Sequence, residues 1–184
     1  ATIDVHDEGD VECGNAILSR YPITDTSVLF FDIPFGRREQ YDGPNDYSTT
    51  PRNMQEGTID ISGKRVHVFN TQGIWGFDGG DNERRLSMGR RIVEEVSGKE
   101  RVILAGDLNV DEHTETIRTI EAELVNVFKG ELTTSFNMRQ KSDPGYATAV
   151  VDMVFVSRDL HSVEHHCPDV NISDHLPLVY TFDI

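Results

Sequence analysis

Lysine is scarce in this sequence: Lys64, Lys99, Lys129 and Lys141 are the only four among 17 basic residues, against 32 acidic ones. The resulting formal charge of −15 excludes a protein that coats duplex nucleic acid through many phosphate contacts, because that needs a basic face. Abundant acid with little lysine also matches a surface adapted to high salt, where screening limits self-repulsion. Cysteine is nearly absent too. Cys13 and Cys167 stand near opposite ends of the chain, which rules out a disulfide framework and leaves open whether the two meet. There is no apolar run of membrane-spanning length and no charged-then-apolar leader at the start. The expected setting is therefore soluble and cytoplasmic. An initial methionine is missing as well, so the start reads as either processed or cut.

The 184 residues suffice for one domain with a hydrophobic core and are too few for two. Their apolar residues come in strand-length runs. Ala16 to Ile23 and Ser27 to Ile33 predict two adjacent strands turning at Thr24-Asp25-Thr26, and Phe35 to Pro51 has the composition of a long surface loop. Asn53 to Ile61 and Lys64 to Gln72 flank Ser62-Gly63 as a second hairpin, with Val66, Val68, Asn70 and Gln72 on one face.

Asp81 is placed to cap a helix whose stripe is Leu86, Gly89, Val93 and Val96 and whose stop is Gly98. Val102 to Leu108 reads as a strand covered on both faces, and Thr114 opens a shorter helix carrying Ile117, Ile120 and Leu124. Further strands are expected at Leu124 to Phe128, Val150 to Ser157, Ser162 to His166 and Leu176 to Ile184. The order predicts a mixed α/β domain spanning residues 1–184.

Three constellations could carry chemistry. Asp107 and Asn109 in Gly106-Asp107-Leu108-Asn109 fall at a strand end and, by period-two alternation, on one side; the same residues also make ordinary turns. Asp174 and His175 open the last strand from a loop, which a polar turn would equally explain. Asp152 interrupts an apolar strand, and a buried carboxylate needs a partner, either a histidine nitrogen or an arginine.

Taken together these residues are similar to the endonuclease/exonuclease/phosphatase superfamily, the deoxyribonuclease I-like hydrolases. The parts occur in family order. Gly14-Asn15-Ala16-Ile17-Leu18-Ser19-Arg20 resembles an early strand, Phe69-Asn70-Thr71-Gln72 the Asn-Thr-His strand, then come Gly-Asp-Leu-Asn, Val151-Asp152-Met153-Val154-Phe155 and the closing Ser-Asp-His. The resemblance implies an α/β four-layer sandwich: two mixed β-sheets packed face to face with helices outside. It also implies hydrolysis of a phosphate ester, as phosphodiesterase, nuclease or phosphatase, assisted by Mg²⁺ or Mn²⁺.

By the same resemblance Asp107 deprotonates the attacking water and Asn109 orients water and phosphate, while His175, held by Asp152, stabilises the phosphoryl charge or shuttles a proton. Asp174, Asp107 and Asn109 would face the metal, since oxygen donors suit hard cations. Gln72, with Asn109, would contact the substrate phosphate. Gln72 stands where the family has histidine and cannot exchange a proton near neutral pH, which motivates the rival reading of a catalytically impaired binding module on the same fold. The family's N-terminal Asn strand and metal-binding Glu have no counterpart before Gly14, Glu8 and Glu12 lacking a strand context. The chain therefore corresponds to the C-terminal majority of the family domain, and self-association or an N-terminal fragment is expected to complete it.

The acidic balance favours a small phosphodiester or single-stranded nucleic acid over duplex DNA, with Arg37-Arg38 as a local anion contact. Four features have a bland reading beside the functional one. His165-His166-Cys167 lacks a complementary zinc pair. Asp78-Gly79-Gly80-Asp81-Asn82 is closer to a capping turn than to a calcium loop. Trp75 and Phe77 either stack on a base or leaving group or plug the sheet edge, and Arg84 and Arg85 either reach phosphate or remain solvated.

Overall fold

The computed structural model describes residues 2–6, 9–38, 47–141 and 148–184. Its centre is the predicted second hairpin, formed by β5 (Asn53–Ile61) and β6 (Lys64–Gln72). Ser62 and Gly63 turn between them with φ of 56° and 83°, the paired positive values of the tight turn that matches strand twist. β3 (Ile23–Phe30) pairs antiparallel with β5. β7 (Val102–Asp107) runs parallel to β6, and β9 (Asp152–Val156) runs antiparallel to β7 with the two-residue β8 (Val125–Asn126) at its far edge. The result is a six-stranded mixed sheet ordered β3-β5-β6-β7-β9-β8.

Side-chain alternation gives this sheet two apolar faces. Val102, Leu104, Met153 and Phe155 pack with Met88, Ile92 and Val96 of α1 (Glu83–Val96) and with Ile117 and Ile120 of α2 (Glu115–Glu123). Ile103, Ala105, Val154 and Val156 pack instead against Leu178 and against Tyr180 and Phe182 of β11 (Val179–Asp183), which pairs antiparallel with β10 (His161–His166). Helices, large sheet and small sheet are thus stacked as a mixed α/β sandwich, as expected, and β7 is covered on both faces. A three-stranded sheet joins β1 (Thr2–His6), β2 (Gly9–Cys13) and β4 (Arg37–Arg38). Among the described residues no helix is long and apolar enough to cross a membrane. Neither Cys13 nor Cys167 is in a disulfide.

Four local expectations are corrected. The first predicted hairpin is one strand: Thr24-Asp25-Thr26 lies inside β3, where the register slips by a residue between Thr24 and Ser27. Asp25 has φ of 48°, and the tolerance of aspartate for that region serves a bulge here rather than a turn. The segment from Gly14 to Pro22 contains no strand. Side chains stand where a neighbouring strand would, Gln55 Nε2 donating to the Asn15 carbonyl at 2.9 Å and Asn70 Nδ2 to the Ala16 carbonyl at 2.9 Å.

The α1 stripe keeps Gly89 and Val96 as expected but runs through Arg85, Met88 and Ile92 in place of Leu86 and Val93. Its cap is Asn82, whose side chain accepts from Arg85 N, while Asp81 reaches across to α2 and accepts from Glu115 N, Thr116 N and Thr116 Oγ1 at 2.6–3.0 Å. One acidic turn therefore supports both helix starts, each contact worth about 1 kcal/mol. Burial opposes the Asp81 charge, but these hydrogen bonds outweigh it and hold the carboxyl below its ordinary pKa.

Candidate active site

The ends of four strands define one row. Registers pair Asn53 with Gln72, Gln72 with Asp107, and Asp107 with Asp152, so these side chains leave the sheet on the same face, at the open end of the layer between the two sheets. Two glycines let the strand ends converge. A Cβ on Gly106 (φ 146°) would lie 2.0 Å from the Thr71 carbonyl oxygen, and one on Gly73 would lie 2.0 Å from that of Leu108.

Beyond Asp107 the chain leaves strand geometry. Asn109 has φ of 56°, its N–H donates to Asp107 Oδ1 at 2.8 Å, and its Nδ2 donates to the Gly73 carbonyl at 3.1 Å. Simple alternation does not bring Asp107 and Asn109 together, then; an Asx turn does. The turn and the convergence are the same structure.

His175 arrives from the opposite side. Its Nδ1 lies 2.8 Å from Asp152 Oδ2, and its ring packs edge-on against Phe136 with centroids 4.6 Å apart. Asp152 thus meets a histidine rather than an arginine. Asp174 is exposed and pairs with Lys141 Nζ at 3.4 Å, and Lys141 in turn lies over the Phe136 ring at 4.4 Å. Gln72 is exposed at the row's centre.

The electrostatics separate the two acid groups. Burial, reinforced by the Asp152 charge, raises the Asp107 carboxyl to about 6, although His175, the Asn109 N–H and Arg52 pull the other way. Burial disfavours the His175 cation, but the hydrogen bond from Asp152 and the charges of Asp152, Asp107 and Asp174 outweigh it, so its pKa is raised. Asp174 is slightly desolvated, yet His175 and Lys141 hold it below the ordinary carboxylate value. The mouth therefore sets a carboxylate of elevated basicity beside an imidazole whose cationic form is favoured by its neighbours.

No group of three His, Cys, Asp or Glu side chains that could hold a metal ion forms among the described residues. The residues implied for Mg²⁺ or Mn²⁺ each keep a protein contact: Asn109 Nδ2 donates to the Gly73 carbonyl, Asp107 Oδ1 accepts from the Asn109 N–H, and Asp174 Oδ2 pairs with Lys141. These contacts leave Asn109 Oδ1 and the second oxygens of Asp107 and Asp174, the donor type that a hard cation takes. Glu8 and the side chains of Arg37 and Arg38 lie outside the described residues, while Glu12, expected to lack a strand context, is exposed on β2 and pairs with Ile3 of β1.

The remaining candidates resolve into structural roles. Arg85 is fully buried and donates to the carbonyls of Ile74 and Gly80 at 3.0 and 2.5 Å, and Arg84 binds Asp32 and the Ser48 carbonyl. Neither arginine is simply solvated. Trp75 packs edge-on with Tyr47 and Phe77, leaving Phe77 77% exposed. His165 meets Glu131 at 2.9 Å, and His166 faces Glu164 at 3.7 Å.

Asn53, Ser135 and Lys141 were missed by sequence reasoning. Asn53 was legible, because the two-residue turn fixes a register in which it faces Gln72. Ser135, whose Oγ accepts from Val151 N and Asp152 N at 3.0 and 3.1 Å, carried no pattern signal.

Comparison with known proteins agrees with the fold. No curated protein matches the sequence. Among solved structures the chain is similar to the mannosyl-6-phosphatase Bt3783 of Bacteroides thetaiotaomicron VPI-5482, with TM-score 0.64, 18% identity, and coverage of 89% of this chain and 67% of that one. It is also similar to D. rerio TDP2 in complex with single strand DNA product, with TM-score 0.67, 16% identity, and coverage of 90% and 69%. A third likeness is the human Nocturnin catalytic domain with bound sulfate anion, with TM-score 0.59, 16% identity, and coverage of 89% and 60%. The chain spans about two thirds of the length of these structures. The family model for the Endonuclease/Exonuclease/phosphatase family matches residues 3–175, and the chain belongs to that family.

Proposed function

We propose that this chain hydrolyses phosphate esters through an Asp107-activated water, with His175 and Asp152 acting as a pair. The observation that carries the reading is the Asp107 carboxyl raised to about 6 beside the Asp152-held His175. A base with that pKa is largely ionised at neutral pH yet still able to take a proton from water. His175, cationic below its raised pKa, meets the charge that grows on the phosphoryl oxygens. Asp152 accepts from Nδ1, which turns Nε2 toward the mouth and fixes the ring. Gln72 offers a neutral amide to the phosphate and Asn109 sets the Asp107 rotamer through the turn.

A Mg²⁺ or Mn²⁺ ion, which Asp174, Asp107 and Asn109 would hold, would neutralise phosphoryl charge. The steps above belong to the chain's own residues. The net charge of −15 favours a small phosphodiester or single-stranded nucleic acid over duplex DNA, a preference that the single-stranded product bound to the zebrafish relative supports. The test is hydrolysis of bis(4-nitrophenyl) phosphate with Mg²⁺, with Mn²⁺ and with neither, at low and high salt. The reading predicts 4-nitrophenolate release by the native chain and its loss in Asp107→Ala. Equal rates in the two proteins, or no release under any condition, would count against it and leave a binding module.

A further inference from the structure

Asp174 and His175 stand on irregular chain, since no strand covers residues 167–178. An isolated bridge pairs His175 with Phe136, which lies outside any strand. Irregular backbone keeps one geometry only where its polar groups have fixed partners. Here the partners come from a single segment. Asn137 N donates to the Asp174 carbonyl at 2.9 Å and Leu176 N to the Ser135 carbonyl at 2.8 Å. Asn137 Nδ2 donates to the Ser173 carbonyl at 2.7 Å and to Asn171 Oδ1 at 2.8 Å. Gln140 Nε2 reaches the same Asn171 oxygen at 2.9 Å, and Arg139 pairs with Asp169.

We infer that Asn137 is a positioning residue for His175: its buried side chain holds the loop Asn171–Asp174 so that the imidazole stays on Asp152. The side chain is 2% exposed and every bonding capacity of its amide is used. Both hydrogens go to the loop, and Oδ1 accepts from Arg139 N and Nε at 3.2 Å each. Serine or alanine would leave the Ser173 carbonyl without its donor, and aspartate would keep the shape but lose both hydrogens. Asn137 touches the backbone on both sides of the Ser173–Asp174 peptide, and His175 follows directly. Ser135, on the same segment, holds the backbone N–H of Asp152. One stretch of chain therefore sets both members of the pair.

The kinetic arm of the test rests on the phosphoesterase reading; a spectroscopic arm does not. An imidazole Nδ1–H held on a carboxylate gives a downfield proton resonance, which ¹H NMR of the native chain reads directly. In Asn137→Ala and in Asn137→Asp that resonance should broaden or vanish. Turnover of bis(4-nitrophenyl) phosphate should fall about tenfold in both, with KM within about twofold. Asn171→Ala, an exposed change that removes one acceptor and spares the buried amide, should lower turnover about threefold with the resonance weakened; it decides the matter if the Asn137 variants do not fold. An intact resonance in the folded Asn137 variants, or in Asn171→Ala where those fail, overturns the proposal. If the native chain turns over no ester, the functional reading falls while the resonance still decides the role of Asn137.

Discussion

The two halves of the candidate site are built in different ways. Asn53, Gln72, Asp107 and Asp152 leave the ends of paired strands in one register row, so sheet hydrogen bonds fix their positions. Asp174 and His175 leave an irregular loop whose bonds run to residues 135–140. Strand-end geometry is cheap to specify, because alternation and register suffice. Loop geometry needs dedicated partners, and those partners follow no periodicity. The strand half should accordingly respond to changes in charge with little effect on shape, and the loop half should respond to changes in both.

The largest effect should come from Asp107→Asn. Removing the base should cost about 10²–10⁴-fold in turnover, while the amide oxygen can still accept from the Asn109 N–H. Stability should move the opposite way. Between the ordinary value of 3.8 and the folded value of about 6, the folded state binds more protons than the unfolded, so native stability falls as pH rises through that window. Asparagine avoids the loss, and Asp107→Asn should melt above the native chain at pH 7 by about 1–3 kcal/mol, with the advantage gone near pH 4. A thermal scan at the two pH values checks this, and a variant less stable at pH 7 would contradict it.

His175→Ala should lose about 10²–10³-fold in turnover and, unlike Asp107→Asn, should lose stability. Its raised pKa means that the Asp152 contact stabilises the fold fully below the ordinary value of 6.5 and fades as pH rises through the folded value. The destabilisation should therefore be greater at pH 6 than at pH 9. A deficit that does not change with pH would sever the link to the Asp152 pair. The native pH–rate profile should combine the two halves: kcat/KM rising through about pH 6 as Asp107 ionises, then falling as His175 deprotonates above 6.5. A profile that rises without a fall would remove the imidazolium from the reaction.

The smallest change is expected at Gln72, which is exposed and makes no contact that the row depends on. Gln72→His should raise turnover by about twofold to tenfold, most at pH 6, because imidazole adds an exchangeable proton beside the phosphate. Stability should be unaffected, and a large drop in melting temperature would mean that the position is structural.

Legibility followed the same division. The hairpin of β5 and β6, the buried strand β7, the Thr114 cap and the identities of Asp107, Asp152 and His175 all left periodic or spacing signals. The β3 bulge did not, since aspartate with positive φ serves turns and bulges alike. Asp81 was placed on the wrong helix because its true target, the start of α2, lies 34 residues away in sequence. Ser135 and Asn137 stood in a stretch without pattern, and their partners are backbone groups that any sequence possesses. The contacts of Asn109 Nδ2 with Gly73 and of Asp174 with Lys141 join segments more than 30 residues apart, which spacing alone could not foretell.

The central claim is that strand half and loop half act on one reaction. A double-mutant cycle in kcat for bis(4-nitrophenyl) phosphate, using Asp107→Asn, His175→Ala and the double variant, tests it most directly. Groups that work as a unit are strongly non-additive, so the double variant should be no slower than the worse single variant by more than about threefold. Losses that multiply would mean that the two halves contribute independently, and a single variant with native turnover would remove that residue from the site.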